Sequence, residues 1–143
     1  MMPIPKDMQV AVDQVKRASS KSDALQTAYD ILSKRYKGQR IKTYTRIFSL
    51  LHNDINTLWN KQGFLHCNHI NTLLIELLVL SGHFEREDIQ RKWTLVWYTS
   101  PHQYVLVCLD LNTRIDVDIW GKNYGIPFSK HAYGFNTTLT AIN

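Results

Sequence analysis

The sequence predicts an α+β protein in which N-terminal helices surround a buried central helix that packs on an antiparallel sheet. Three observations lead to this prediction. Apolar residues recur at intervals of three and four up to Leu80, the segments after Trp93 are rich in β-branched and aromatic residues, and only a short turn separates the last two of those segments. Helices followed by paired strands are typical of the α+β class. The 143 residues, 44% of them hydrophobic, suit a single domain over residues 1–143.

Two helices are predicted at the start of the chain. The first covers residues 6–18. The second begins at Ser20 or Ser22, where Asp23 is available for a capping box, and it ends at residues 37–38. The apolar residues that this spacing places on buried faces are Met8, Ala11, Val12, Val15, Ala24, Leu25, Ala28, Tyr29 and Leu32.

A third helix and the central helix follow. The third has an apolar stripe over residues 44–59, and Gly63 is suitably placed to end it. The central helix runs from Cys67 to Leu80 and is stopped by residues 81–82. Its many large apolar side chains require neighbours on more than one side. These side chains are Ile70, Leu73, Leu74, Leu77 and Leu78.

Three β-strands are predicted after the central helix, over residues 93–98, 103–109 and 114–120. The connection between the last two is short, so they should pair antiparallel as a hairpin. A hairpin that pairs Asp110 with Arg114 sets even-numbered residues opposite one another. The remaining residues have no periodic pattern and predict a loop-rich tail.

Charge and composition narrow the classes of function. The net charge of +5 comes largely from one basic patch between Lys34 and Arg46, which has six basic residues and no acidic one. We interpret this patch first as solvated helix ends and only second as a site for polyanions, so nucleic acid is disfavoured as a partner. No apolar segment has the length of a membrane span or of a signal-peptide core. We therefore expect a cytoplasmic protein without a membrane partner.

Cys67 stands where the central helix is predicted to begin. Backbone N–H groups in a first helical turn have no acceptor inside the helix, and the helix dipole makes this end positive. Both effects stabilise a thiolate, which is the nucleophilic form of cysteine. The alternative interpretation of Cys67 is a small buried hydrophobic residue. Cys108 lies inside an apolar strand and is expected to be buried and inert.

Two further residues could complete a catalytic triad with Cys67. His102 precedes one strand, Asp118 lies near the end of the next, and strand parity places both on one face of the hairpin. The predicted register sets Asp118 opposite Leu106, so a twist or bulge is needed to reach His102. Asp116 has the same parity and is the alternative carboxylate. A histidine can take the thiol proton while a carboxylate orients its ring.

Three features of the chain occur in a characteristic order. A cysteine opens a buried helix after a Gly-containing loop, His-Gln-Tyr at residues 102–104 opens a strand, and carboxylates follow in Ile-Asp-Val-Asp-Ile-Trp at residues 115–120. With these features, residues 24–121 resemble the core of the transglutaminase-like superfamily, which belongs to the papain-like cysteine-protease fold. Leu65 and Ile119 stand where members of that superfamily often have glycine and proline.

The resemblance implies a thiol acyl-transfer enzyme, either an amidase or peptidase or a transglutaminase. It implies that Cys67 is the nucleophile, His102 the base and Asp118 the third member of the triad. The substrate would be an amide in a protein, a peptide or a small molecule, and the intermediate a thioester. The oxyanion formed on the way needs hydrogen-bond donors, for which the N–H of Cys67 and the side chain of Gln62 are candidates. We expect no cofactor and no metal.

Two other functions fit some of the same residues. His66, His69 and His83 could bind zinc together with Cys67, although the two close ligand pairs typical of structural zinc are missing. Alternatively, the domain is a non-catalytic binding module on the same fold, which would use its groove or the basic patch. This second alternative stays open because a fold does not determine a function.

Overall fold

The computed structural model describes residues 3–37, 54–61 and 63–137. Within these residues the protein is α+β, with four helices before a three-stranded antiparallel sheet whose strands lie side by side in chain order. The predicted fold class is therefore confirmed. In chain order, the elements are α1 (Lys6–Lys16), α2 (Lys21–Arg35), β1 (Tyr36–Lys37), α3 (Ile55–Asn60), β2 (Gly63–Phe64), α4 (Cys67–Leu80), β3 (Ile89–Val96), β4 (Ser100–Cys108) and β5 (Arg114–Val117).

The first two helices form where the apolar spacing places them, and all nine of their predicted core residues are buried. The Ser20 hydroxyl caps α2 by accepting a hydrogen bond from the N–H of Asp23 at 3.1 Å. This helix ends at Arg35, earlier than predicted, because Tyr36 is already extended and begins β1.

The central helix α4 has the bounds that the sequence predicts, from Cys67 to Leu80. It contacts α1, α2 and α3 as well as β4, so it lies between the helices and the sheet. Full burial of one large apolar side chain contributes about 1.5–3 kcal/mol to stability. In α4 the fully buried side chains are those of Ile70, Leu73, Leu74, Leu77 and Leu78.

Two short strands fix the point where α4 begins. β1 follows α2 directly and pairs in parallel with β2, with Tyr36 opposite Gly63. The Tyr36 hydroxyl donates to the carbonyl of Trp59 at 2.6 Å, and the Arg35 guanidinium donates to the same carbonyl at 2.7 Å. Burial raises the pKa of Tyr36 to about 12, so its hydroxyl keeps the proton that it donates. The chain before Cys67 is thereby tied to the end of α2.

The third predicted helix is described only in part. α3 covers the end of the predicted stripe, and residues 44–53 lie outside the described residues. The prediction that Gly63 ends this helix is wrong, because α3 already ends at Asn60 and Gly63, with a φ of +86°, belongs to β2. No helix among residues 3–37, 54–61 and 63–137 is long and apolar enough to cross a membrane.

The strand boundaries differ from the predicted ones at both hairpins. β3 begins earlier than residue 93 and ends at Val96, because Trp97 and Tyr98 form the turn to β4 with φ angles of 54° and 55°. Positive φ is rare for bulky residues, so their strand propensity was misleading. β4 begins at Ser100 rather than at residue 103. β5 ends at Val117 because the chain then turns into a 3₁₀-helix at Trp120–Tyr124.

The register of the hairpin between β4 and β5 also differs from the predicted one. Arg114 lies opposite Cys108 and not opposite Asp110. This shift of two residues keeps the parity of the strands and widens the connecting loop. Continued past Val117, this register sets Asp118 level with Tyr104, two residues closer to His102 than predicted, and the chain leaves the strand there as it turns toward the 3₁₀-helix.

A buried polar contact joins α4 to β4. The amide group of Asn71 donates to the backbone carbonyl of Gln103 at 3.1 Å and to its Oε1 at 3.2 Å, and both side chains are buried. Arg91 of β3 donates to the same Oε1 at 2.9 Å. Asn71 lies one turn after Cys67 and Gln103 adjoins His102, so this contact fixes the register between the elements that carry the thiol and the imidazole.

We expect Asn71→Leu to lower the free energy of unfolding by about 1–3 kcal/mol, because it removes a buried donor from Gln103. Asn71→Leu combined with Gln103→Leu should cost less than the sum of the single changes, since both polar groups are then gone. Urea unfolding of the wild type, both single variants and the double variant measures the coupling. Strictly additive losses would contradict a specific contact.

Candidate functional site

Three side chains from distant parts of the sequence meet beside the start of α4. His102 Nε2 lies 2.7 Å from Asp118 Oδ2, and the two residues are 3% and 2% exposed. Cys67, which is half-buried, lies close enough to the same imidazole to help raise its pKa. The structure thus brings together Cys67, His102 and Asp118, the three residues that the sequence predicts as a triad.

The Asp118 carboxylate is held by the backbone as well as by His102. Its Oδ1 accepts a hydrogen bond from the N–H of Gly121 at 2.9 Å, and its Oδ2 accepts one from the N–H of Ala132 at 2.8 Å. Such donors are what a buried carboxylate requires. Gly121 also leaves room for it, since a Cβ there would lie 2.7 Å from Asp118 Oδ2.

The charges at the site favour a protonated His102. Burial by itself lowers the pKa of His102, but the charge and hydrogen bond of Asp118 raise it, and so do those of Cys67, to a net value of about 10. At neutral pH the ring is therefore an imidazolium, the form that pairs with a thiolate. The ring of Trp120, centred 4.8 Å from that of His102, helps to cover the imidazole.

The alternative carboxylate, Asp116, makes a separate pair. Its Oδ2 lies 2.7 Å from Nδ1 of His131, and the side chains are 30% and 21% exposed. The His131 ring stacks on that of Tyr104, with centroids 3.9 Å apart and an angle of 5° between the planes. Asp118 is therefore the carboxylate against His102. Sequence reasoning did not single out His131, which lies in the segment without periodic pattern.

The predicted oxyanion donors are described in part. Gln62 lies outside the described residues. Cys67 is the first residue of α4, so its N–H has no acceptor within the helix. The helix start therefore supplies one of the two donors that the sequence suggests.

Two other expectations have different outcomes. Cys108 is half-buried and not buried as predicted, because it ends β4 beside the hairpin loop.

The basic patch is described only at its start. Arg35 lies 4.3 Å from the centre of the Trp59 ring and donates to the Trp59 carbonyl, so it contributes to the fold. Lys34 is exposed. Residues 38–46 of the patch lie outside the described residues.

The histidines of the zinc alternative do not form a metal centre in the described part of the chain. His66 and His69 are buried, with ring centroids 5.7 Å apart. Nε2 of His83 lies 3.2 Å from the carbonyl of Lys16 in α1. No group of three or more His, Cys, Asp or Glu residues suited to a metal ion occurs among the described residues.

Comparisons of the chain with protein-family models, with curated proteins and with solved structures find no match.

We expect Gly121→Ala to lower the free energy of unfolding by roughly 1–3 kcal/mol, as overpacking does, and to lower the pKa of His102. The new methyl group would displace an Asp118 carboxylate that three hydrogen bonds hold in place. Gly82→Ala is the matched control. A Cβ at Gly82 would have no atom within 4 Å, so this change lowers the free energy of unfolding only through the φ of +82°. Urea unfolding and an NMR titration of His102 measure both effects. An unchanged pKa of His102 in Gly121→Ala would contradict this expectation.

The free energy of unfolding should fall as the pH rises from about 6.5 to about 10. His102 has its pKa raised from 6.5 to about 10, so over this range the folded protein holds a proton that the unfolded chain has lost. The stabilisation is complete below about pH 6.5 and disappears as the pH passes about 10, with a slope of up to about 1.4 kcal/mol per pH unit.

The measurement uses Cys67→Ser, so that titration of the thiol does not contribute to the proton balance. Because Cys67 also helps to raise the pKa of His102, the fall in stability of this variant should end below about pH 10. Urea unfolding across this pH range compares Cys67→Ser with the double variant Cys67→Ser/His102→Gln. Equal slopes for the two proteins would show that His102 does not hold its proton in the folded state.

Proposed function

We propose that the protein is a thiol acyl-transfer enzyme, of the amidase or peptidase type or of the transglutaminase type, that acts through Cys67, His102 and Asp118. The observation that carries the proposal is the single imidazole that lies 2.7 Å from a buried carboxylate and close enough to a thiol at a helix N-terminus for that thiol to help raise its pKa. The placement of the three residues at a helix start, a strand start and a strand end further supports the resemblance to the transglutaminase-like core of the papain-like fold.

The reaction begins with the Cys67 thiolate, which the helix N-terminus and the His102 imidazolium stabilise. The thiolate attacks the carbonyl carbon of an amide, and the N–H of Cys67 donates to the developing oxyanion. As the carbon–nitrogen bond breaks, His102 donates its proton to the leaving amine. The acyl group remains on Cys67 as a thioester, and His102 is left neutral.

The second half of the reaction returns the site to its starting state. Neutral His102 takes a proton from a water molecule or from an acceptor amine, which then attacks the thioester carbonyl. Cys67 leaves as a thiolate, and the product is a carboxylic acid or a new amide. Asp118 keeps the imidazole oriented in both halves and stabilises its protonated form.

Alkylation by iodoacetamide tests the thiol without knowledge of the substrate. We expect Cys67 to react at about pH 6, because the imidazolium of His102 favours the thiolate. In His102→Ala the reaction should move to the range of ordinary thiols, above about pH 8. Mass spectrometry of the peptide that contains Cys67 measures the rate. Cys108→Ala, which removes the other half-buried free cysteine, should leave the profile of Cys67 unchanged.

An activated ester, p-nitrophenyl acetate, tests the acyl-transfer step on the same samples. We expect an acetyl thioester on Cys67 that water removes with time. A primary amine added as acceptor should remove it faster and so free Cys67 for the next acylation. Cys67→Ala should neither be acylated nor turn over, and it should stay folded because the deleted group is small. Reaction of wild-type Cys67 only in the ordinary thiol range, without acylation, would overturn the proposal and favour the non-catalytic binding module.

A further inference from the structure

Residues 129–134, which we term the clasp, cross from one edge of the sheet to the other. At one end, Ser129 forms an isolated β-bridge with Asp116 of β5. At the other end, the carbonyl of Gly134 accepts a hydrogen bond from the N–H of Trp97 at 2.6 Å, just after β3. The clasp therefore joins the end of β5 to the end of β3, past the strand start that carries His102.

The backbone is strained on both sides of this connection. Positive φ angles occur at Ser129, at 73°, and at Trp97 and Tyr98, at 54° and 55°. Among the described residues these are the only ones other than glycine with positive φ, and each belongs to the clasp or to the turn bonded to it. Strained conformations persist where many contacts determine them, and they cluster at functional sites.

His131 secures the middle of the clasp. Its Nδ1 is paired with Asp116 at 2.7 Å and its ring stacks on Tyr104. The next residue, Ala132, donates its N–H to Asp118 Oδ2, the oxygen that also lies against His102. A single peptide unit thus separates the His131 contacts from the carboxylate of the proposed triad.

We propose that His131 is a positioning residue, whose contacts with Asp116 and Tyr104 hold the N–H of Ala132 where it fixes the Asp118 carboxylate against His102. This inference rests on the proposed function, because it assigns His131 a role at the same site. Without the bond from Ala132, the donor that remains from the backbone is the N–H of Gly121, which binds only Oδ1. The carboxylate could then rotate away from the imidazole.

Three substitutions separate this role from a general contribution to folding. His131→Ala removes both the pairing with Asp116 and the ring stacking. His131→Asn keeps an N–H donor in place of Nδ1 and should restore part of the function. His83→Ala is the matched control, since His83 is also partly exposed and makes its contact with the Lys16 carbonyl in another part of the fold.

The two readouts are the pKa of His102, from an NMR titration, and the alkylation rate of Cys67 at about pH 6.5. We expect His131→Ala to lower the pKa by about one unit and to slow the alkylation, because an imidazolium that has moved away stabilises the thiolate less. His131→Asn should lie between this variant and the wild type, and His83→Ala should equal the wild type. A purely structural role would change the unfolding curve and leave both quantities unchanged in the folded protein.

A folded His131→Ala with the wild-type pKa of His102 overturns the positioning role. If His131→Ala does not fold, Tyr104→Leu takes its place, because it keeps the His131–Asp116 pair. It should shift both readouts in the same direction by a smaller amount. The absence of any shift in Tyr104→Leu would overturn the proposal. Failure of the proposed function gives a different result. Wild-type Cys67 would then react only in the ordinary thiol range, while His131→Ala would still lower the pKa of His102.

Discussion

A carboxylate enclosed by protein is the constraint on which the rest of this structure depends. Asp118 is 2% exposed, and a charge in such surroundings is stable only when hydrogen-bond donors replace the water that it has lost. Those donors come from three separate places, which are the start of β4 with His102, the 3₁₀-helix with Gly121 and the clasp with Ala132. The need to satisfy one group therefore specifies how three segments pack together.

The same charge organises the electrostatics around it. The carboxylate keeps a proton on the buried imidazole, and the resulting positive charge faces the thiol at the positive end of α4. On the other side, Tyr29 of α2 has its pKa raised to about 12, first by burial and then by the Asp118 charge. The positive charge of His102 therefore lies beside the negative charge of Asp118, while the neighbouring phenol stays neutral.

Local patterns in the sequence predicted α1, α2 and α4 and three members of the candidate site, because apolar spacing, a helix start and strand parity are properties of neighbouring residues. The hairpin register was wrong because a shift of two residues preserves parity, so no hydrophobic pattern distinguishes the two pairings. The strand assignment of Trp97 followed its β-propensity, and it was wrong because the turn imposes a positive φ on this residue. Ala132 could not be found at all, since it acts through a backbone N–H that every residue except proline has.

The clasp has a consequence for the newly made chain. Synthesis proceeds from the N-terminus, so α4 with its cysteine, and then both hairpins, leave the ribosome before Ala132 does. The Asp118 carboxylate lacks one of its donors until that residue has emerged and the segment has crossed the sheet. The complete hydrogen bonding of this buried carboxylate is therefore among the last tertiary features to form.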